Sequence, residues 1–261
     1  MIRTGRIPYL NLFPLFYYLE RDHQEEYEFT DGVPSVLNKL LRAGRIDLSP
    51  SSSIEYLRNR ELYELVPGHS ISSKGPIGSI FLFSKYPVDE LDRKRIMYLY
   101  HSETSVGLLR IICERFYGLR PEYQSTSAPV NEGLNLGDAY LLIGDQAMRA
   151  RKSVRDCHVY DLGSIWYERT GLPFVFALWI GNSSNMHESG ISVQKIKSDL
   201  DDALKKAENS FEDLARVAPG RDTFTEEEIV EYWRGISFGL EEDHLKGLRR
   251  FEEYLIEMGV L

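Results

Sequence analysis

Gly171-Leu172-Pro173-Phe174-Val175-Phe176-Ala177-Leu178-Trp179-Ile180 decides the fold. A glycine–proline turn releases an apolar, aromatic-rich run, the composition of a strand covered on both faces. Its place in the order matters most. It follows two successive sets of alternating strand-like and helix-like segments and precedes a tail that reads as helix. The run is therefore expected to leave the second set and rejoin the first.

Toward the N-terminus, Ile7 to Leu10 reads as the end of a strand, and Pro14 sits where a first-turn proline is tolerated before a helix through Leu15, Tyr18 and Leu19. A second helix is marked by Pro34 at its start, Val36, Leu37, Leu40 and Leu41 along it, and Gly44 after it. Ile46 to Leu48 reads as a short strand, Ser49 to Ser53 as a turn opening a helix through Ile54 and Leu57, and Ile80 to Phe83 as a buried strand. The character shifts near Tyr86-Pro87. Ile96 to Tyr100 is a strand, and an amphipathic helix through Leu108, Leu109, Ile112 and Phe116 ends at Gly118. Another strand, Ala139 to Ile143, stops at Gly144-Asp145. In the tail, Thr225 with Glu228 forms a capping-box pattern. The expected class is α/β: a two-lobed fold of the type II periplasmic-binding-protein kind, with its ligand cleft between the lobes. Residues 1–86 plus 174–261 would form lobe 1 and residues 87–173 an inserted lobe 2.

Composition narrows the function. The chain has 261 residues, 43% of them hydrophobic and 27% charged, enough to bury a core without disulfide staples. Cys113 and Cys157 read as free thiols in a reducing compartment. A formal charge of −9 with no basic stripe excludes general nucleic-acid affinity. The acidic runs Glu226 to Glu228 and Asp199, Asp201 and Asp202 read as solvated helix faces. Met1-Ile2-Arg3-Thr4-Gly5-Arg6 is not a secretory leader, and no apolar run approaches the roughly 20 residues that span a bilayer. A cytoplasmic protein without a membrane partner is expected.

Three strand-to-helix turns carry small polar residues: Asn11, then Ser51, Ser52 and Ser53, then Thr104 and Ser105. Helix first turns offer unpaired N–H groups and a partial positive charge, which suit a carboxylate. Such residues equally serve as plain helix caps. Ser79 ends a Gly75-Pro76-Ile77-Gly78 turn that lacks the length and lysine of a phosphate-binding loop. The six histidines and two cysteines show no metal-ligand spacing, and no Gly-x-Ser-x-Gly elbow occurs. Among the histidines only His101 lies beside a candidate turn. Asp145, with Gly144 at the end of an apolar strand, is the carboxylate of most interest, for ligand contact or for anchoring a loop. Trp166, Phe174, Phe176 and Trp179 read as core before ligand platform.

Particular blocks resemble the menaquinone-biosynthesis MqnA/MqnD family. They are Arg6-Ile7-Pro8-Tyr9-Leu10-Asn11 with Pro14-Leu15, then Ser52-Ser53-Ile54-Glu55-Tyr56. The most specific is Asp161-Leu162-Gly163, Trp166 and Thr170-Gly171-Leu172-Pro173-Phe174-Val175-Phe176-Ala177. The resemblance runs in order from about Arg3 to Trp179. One branch of the family dehydrates chorismate to 3-[(1-carboxyvinyl)oxy]benzoate on the futalosine route. The sister branch converts cyclic dehypoxanthine futalosine to dihydroxynaphthoate and carries a His-Glu pair after the strand matched by Leu141 to Ile143. Here Gly144-Asp145 stands in that place, which points to the dehydratase branch.

The resemblance implies a carbon–oxygen lyase without cofactor or metal, acting on a small dicarboxylate. It implies Asn11 and Ser79 as the catalytic pair. Ser52, Ser53, Thr104, Ser105, Gly144 and Asp145 would bind substrate. The alternatives are the sister-branch enzyme and a small-anion binding protein without chemistry.

Overall fold

The computed structural model describes residues 1–100 and 102–261, with the side chain of Asn131 left aside. The chain divides into two units, Met1–Ser72 with Val175–Glu242, and Ser73–Phe174 with Asp243–Leu261.

The first unit is built on a mixed sheet. Its strands are β1 (Ile2–Arg6), β2 (Tyr27–Asp31), β3 (Leu48–Ser52), β4 (Tyr63–Ser73), β10 (Phe174–Asn182) and β11 (Ser237–Leu240), in the order β11-β4-β10-β3-β1-β2. Strand β1 runs parallel to β2 from Ile2 opposite Tyr27 to Arg6 opposite Asp31, and parallel to β3 at Thr4 opposite Leu48. The returning strand β10 lies antiparallel to β3, with Ala177 opposite Ser52 and Gly181 opposite Leu48. Helices α1 (Phe13–His23), α2 (Pro34–Arg42) and α3 (Ser53–Arg58) connect the early strands. Pro14 and Pro34 sit in the first turns of α1 and α2, where their missing N–H removes no helical bond. Later come α8 (Ser183–Glu188), α9 (Val193–Glu208), α10 (Phe211–Ala215) and α11 (Glu226–Gly235). Thr225 and Glu228 make both halves of the capping box at the start of α11.

Two local expectations change. The first strand ends at Arg6, not at Leu10, because Pro8 has no ladder donor and Tyr9 N–H turns back to the Ile7 carbonyl at 2.8 Å. Ser49 to Ser52 are strand, not turn. Their place at the sheet centre, with Ser49, Pro50 and Ser51 buried between β1 and β10, overrides a weak intrinsic preference for strand. Pro50 is tolerated because the pairing with β1 is made at Leu48 and not beyond it.

The second unit has β5 (Ile80–Ser84), β6 (Arg95–Leu99), β7 (Glu122–Thr126), β8 (Ala139–Ile143) and β9 (His158–Asp161), in the order β7-β6-β8-β5-β9. Its helices are α4 (Glu103–Ile111, prolonged by a π turn to Phe116), α5 (Val130–Leu136), α6 (Gly144–Ser153), α7 (Leu162–Thr170) and α12 (Glu242–Glu257). Strand β5 pairs on both edges, with β8 and with β9, so Ile80 to Ser84 belong to this sheet. The division accordingly falls at Ser72–Ser73 instead of at residue 86. Helix α12 belongs here too and not to the first unit. Phe251 packs edge-on against Phe174 at 4.9 Å and against Trp166 at 6.4 Å between ring centres.

Trp166, Phe174, Phe176 and Trp179 are all buried core. Asp199 is not solvated: it is buried, accepts from Tyr27 Oη at 2.7 Å and pairs with Lys195 Nζ at 2.6 Å. Cys113 and Cys157 are free thiols, and burial pushes the Cys113 thiol up to about 12. Among the described residues no helix is long and apolar enough to cross a membrane.

Candidate functional site

In the first unit, the parallel neighbours β1 and β3 open their C-terminal ends on one edge of the sheet, the usual place for ligands in such folds. The chain leaving β1 turns at Leu10 to Leu12 and carries Asn11. The Leu10 carbonyl there accepts a 2.7 Å bond from Trp233 Nε1 on α11, which fixes the turn from the far end of the sequence. Asn11 Oδ1 is buried and has no hydrogen-bond partner among the described residues. A buried amide oxygen without a partner is costly, and it offers a ligand an acceptor.

The chain leaving β3 carries the serines, and they divide in role. Ser53 Oγ is buried and donates to the Val175 carbonyl at 2.6 Å, so its hydroxyl ties α3 to β10. Ser51 Oγ is buried without a partner among the described residues. Ser52 is half-buried at the start of α3 and accepts from Asn38 Nδ2 at 3.2 Å. Asn38 lies on α2, nine-tenths buried, and its Oδ1 has no partner among the described residues. Sequence reading missed it; the signal was a lone amide beside Leu37 and Leu41 on the apolar side of that helix. A cavity of about 390 Å³ lies beside Ile7, Pro8, Tyr9, Phe13 and Tyr17 without Asn11 in its lining. The unpartnered polar atoms, and not this largely apolar hollow, mark the candidate site.

In the second unit, parallel β6 and β8 likewise end side by side. Thr104 and Ser105 are buried in the first turn of α4, after β6. Gly144 and Asp145 open α6, after β8, with Gly144 at φ +63° and Asp145 half-buried. Ser79 immediately precedes β5, whose Ile80 faces Ile143 of β8, so Ser79 meets Gly144: the Gly144 N–H donates to the Ser79 carbonyl at 2.7 Å. Thr104, Ser105, Ser79, Gly144 and Asp145 thus converge on one edge. His101 lies outside the described residues.

None of α1, α3, α4 and α6 receives a side-chain cap, whereas α7, α8, α9 and α11 are capped by Asp161, Asn182, Ser192 and Thr225. Ser102, at the cap position of α4, instead sends its hydroxyl to the Leu99 carbonyl at 2.5 Å. Uncapped starts are not confined to the candidate residues, since α2, α5 and α10 also lack a side-chain cap, and the first N–H of α6, that of Gly144, is already taken by the Ser79 carbonyl.

One cluster was not legible as spacing. His23, Glu26 and Asp199 bring ligand-type atoms within 4.8 Å of one another. Lys195 Nζ sits 2.6 Å from both carboxylates, so the cluster is an ion-pair network.

Residues 2–257 match the family described as menaquinone biosynthesis. A chorismate dehydratase of Thermus thermophilus is 29% identical over 95% of this chain and 92% of its own length. A chorismate dehydratase of Campylobacter jejuni is 28% identical over 66% of this chain and 64% of its own. In fold, the chain is similar to the periplasmic aliphatic sulphonate binding protein of Escherichia coli (TM-score 0.68, 14% identity, 99% of this chain and 92% of the other). A match along nearly the whole length places the protein in the menaquinone-biosynthesis family, on a periplasmic-binding-protein-like fold.

Proposed function

We propose that this protein is a chorismate dehydratase, a carbon–oxygen hydro-lyase that eliminates water from chorismate to give 3-[(1-carboxyvinyl)oxy]benzoate. The likeness to the Thermus thermophilus enzyme along 95% of the chain carries this reading. The buried Asn11 Oδ1, without a partner among the described residues at the turn after β1, supports it.

The chemistry fits such a site. Chorismate brings two carboxylates, and hydrogen bonds to a charged group contribute roughly 1.5–3 kcal/mol each. Elimination removes a proton from the ether-bearing ring carbon and hydroxide from its neighbour, and the electrons of the broken C–H bond complete the aromatic ring. Aromatisation supplies the driving force. The difficulty is kinetic, because hydroxide leaves poorly and the ether competes as a leaving group. The site must therefore hold one conformer and assist one departure. Asn11 holds the enolpyruvyl arm in its reactive orientation. Ser79 binds the arm's carboxylate or the departing hydroxyl. The enolpyruvyl carboxylate itself takes the ring proton. Ser52, Ser53, Thr104, Ser105, Gly144 and Asp145 complete the binding set, Ser53 through the backbone it anchors.

Purified protein incubated with chorismate tests this directly by mass and ultraviolet absorbance. Loss of one water to an aromatic enolpyruvyl ether is expected. Chorismate unchanged by folded protein overturns the assignment. Cyclic dehypoxanthine futalosine, offered next, would then separate the sister activity from a binding protein without chemistry.

A further inference from the structure

Asp161 makes more bonds than its position requires. It ends β9 and caps α7, with Oδ1 accepting from Gly163 N–H at 2.9 Å and Ser164 N–H at 3.2 Å. A cap needs no more than that. The same carboxylate also reaches across the unit to a segment 83 and 84 residues away: Oδ1 accepts from Ile77 N–H at 3.1 Å and Oδ2 from Gly78 N–H at 2.8 Å. Ile77 and Gly78 are the two residues before Ser79.

That turn needs an outside hold. Gly75 and Gly78 take φ of +110° and +74°, and glycine backbone is the least able to keep one conformation alone. Ser79 is held on its other side by the Gly144 N–H on its carbonyl and by the ladder that starts at Ile80. Asp161 supplies the missing hold on the near side. Gly163 allows α7 to come close enough: a Cβ there would stand 2.6 Å from the Gly75 carbonyl oxygen and 2.7 Å from Ser73 Oγ. Ser73 Oγ in turn donates to that same carbonyl at 2.8 Å. Burial pushes the Asp161 carboxyl up and four backbone N–H groups draw it down, with burial prevailing. The half-buried carboxylate is held by these four donors.

We propose that Asp161 is a positioning residue for Ser79, fixing the Gly75–Ser79 turn so that the Ser79 hydroxyl is presented in one orientation. The proposal rests on the reading of Ser79 as a reacting-site residue given above. It assigns a task to the Asp161-Leu162-Gly163 segment that capping alone does not explain.

A double-mutant cycle with an exchange measurement tests it. Asp161→Asn should lower kcat on chorismate about a hundredfold, the cost of a misplacement near 1 Å, with KM nearly unchanged. In a Ser79→Ala background the same change should lower kcat no further than about twofold, because residues acting as a unit are not additive. Gly163→Ala, which crowds the turn with the carboxylate intact, should reproduce the loss and the masking; it also serves if Asp161→Asn does not fold. Equal losses in both backgrounds would overturn the proposal. Amide exchange provides a readout without activity: Ile77 and Gly78 should exchange about tenfold faster in Asp161→Asn while Leu82 in β5 stays protected. If the wild type leaves chorismate untouched, the proposed function falls, and unchanged exchange at Ile77 and Gly78 would separately refute the positioning.

Discussion

Asp47 holds Arg3 at three points: it accepts from the Arg3 backbone N–H at 2.9 Å, from Nε at 3.1 Å and from Nη2 at 2.5 Å. Asn185 Nδ2 adds a fourth bond at 2.8 Å. Burial alone would raise the Asp47 carboxyl, but Arg3 and Asn185 outweigh it and hold it below the usual carboxylate range. A carboxyl depressed in the folded state stabilises the fold above its unfolded value of 3.8, and that contribution is lost as pH falls through the lower folded value. Urea midpoints should therefore drop steeply below about pH 4. Asp47→Asn should cost about 2–4 kcal/mol at pH 7 and flatten that acid limb. An unchanged acid limb in the variant would assign the loss to other carboxylates.

Trp166 is fully buried among Phe116, Phe174, Phe251 and Tyr254, and its Nε1 has no partner among the described residues. Trp166→Phe therefore breaks no hydrogen bond and should cost about 1–2 kcal/mol, against about 3–5 kcal/mol for Trp166→Ala. Thermal denaturation compares the two. A ligand-platform role would instead appear as lost substrate affinity with stability little altered.

Asn11→Ala and Ser79→Ala should each lower turnover of chorismate, by about 100- to 1,000-fold if each hydrogen-bonds the developing charge. Steady-state kinetics on folded variants decides it, and near-normal turnover in both would remove the pair from the reaction.

Asp145→Asn separates binding from proton transfer. With the substrate carboxylate as base, the change should raise KM by about tenfold and leave most of kcat, the pattern of lost ground-state binding. A collapse of kcat with binding intact would make Asp145 the base.

What was legible in the sequence depended on how local the cause was. Strand β8, Ala139–Ile143, and helix α2, from Pro34 with Gly44 beyond it, follow from apolar runs and terminators within a few residues. The return of β10 was readable because its order in the chain allowed little else. Ser49 to Ser52 were not readable as strand, since small polar residues signal turns until neighbours on both sides bury them. Asp199 was hidden for the same reason: its charge looked solvated until Tyr27, 172 residues away, supplied a hydroxyl. For the candidate site, Asn11, Ser52 and Thr104 stood out by lying at strand-to-helix turns. Asn38 and the reach of Asp161 to Ile77 and Gly78 depend on contacts across the fold that no local pattern records.

The bond from Trp233 to the Leu10 carbonyl spans 223 residues and orders the life of the chain as well as its shape. The turn bearing Asn11 is made well before its anchor, so until Trp233 has been added it lacks this hold. A stalled or clipped chain ending before residue 233 carries the residue without the posture.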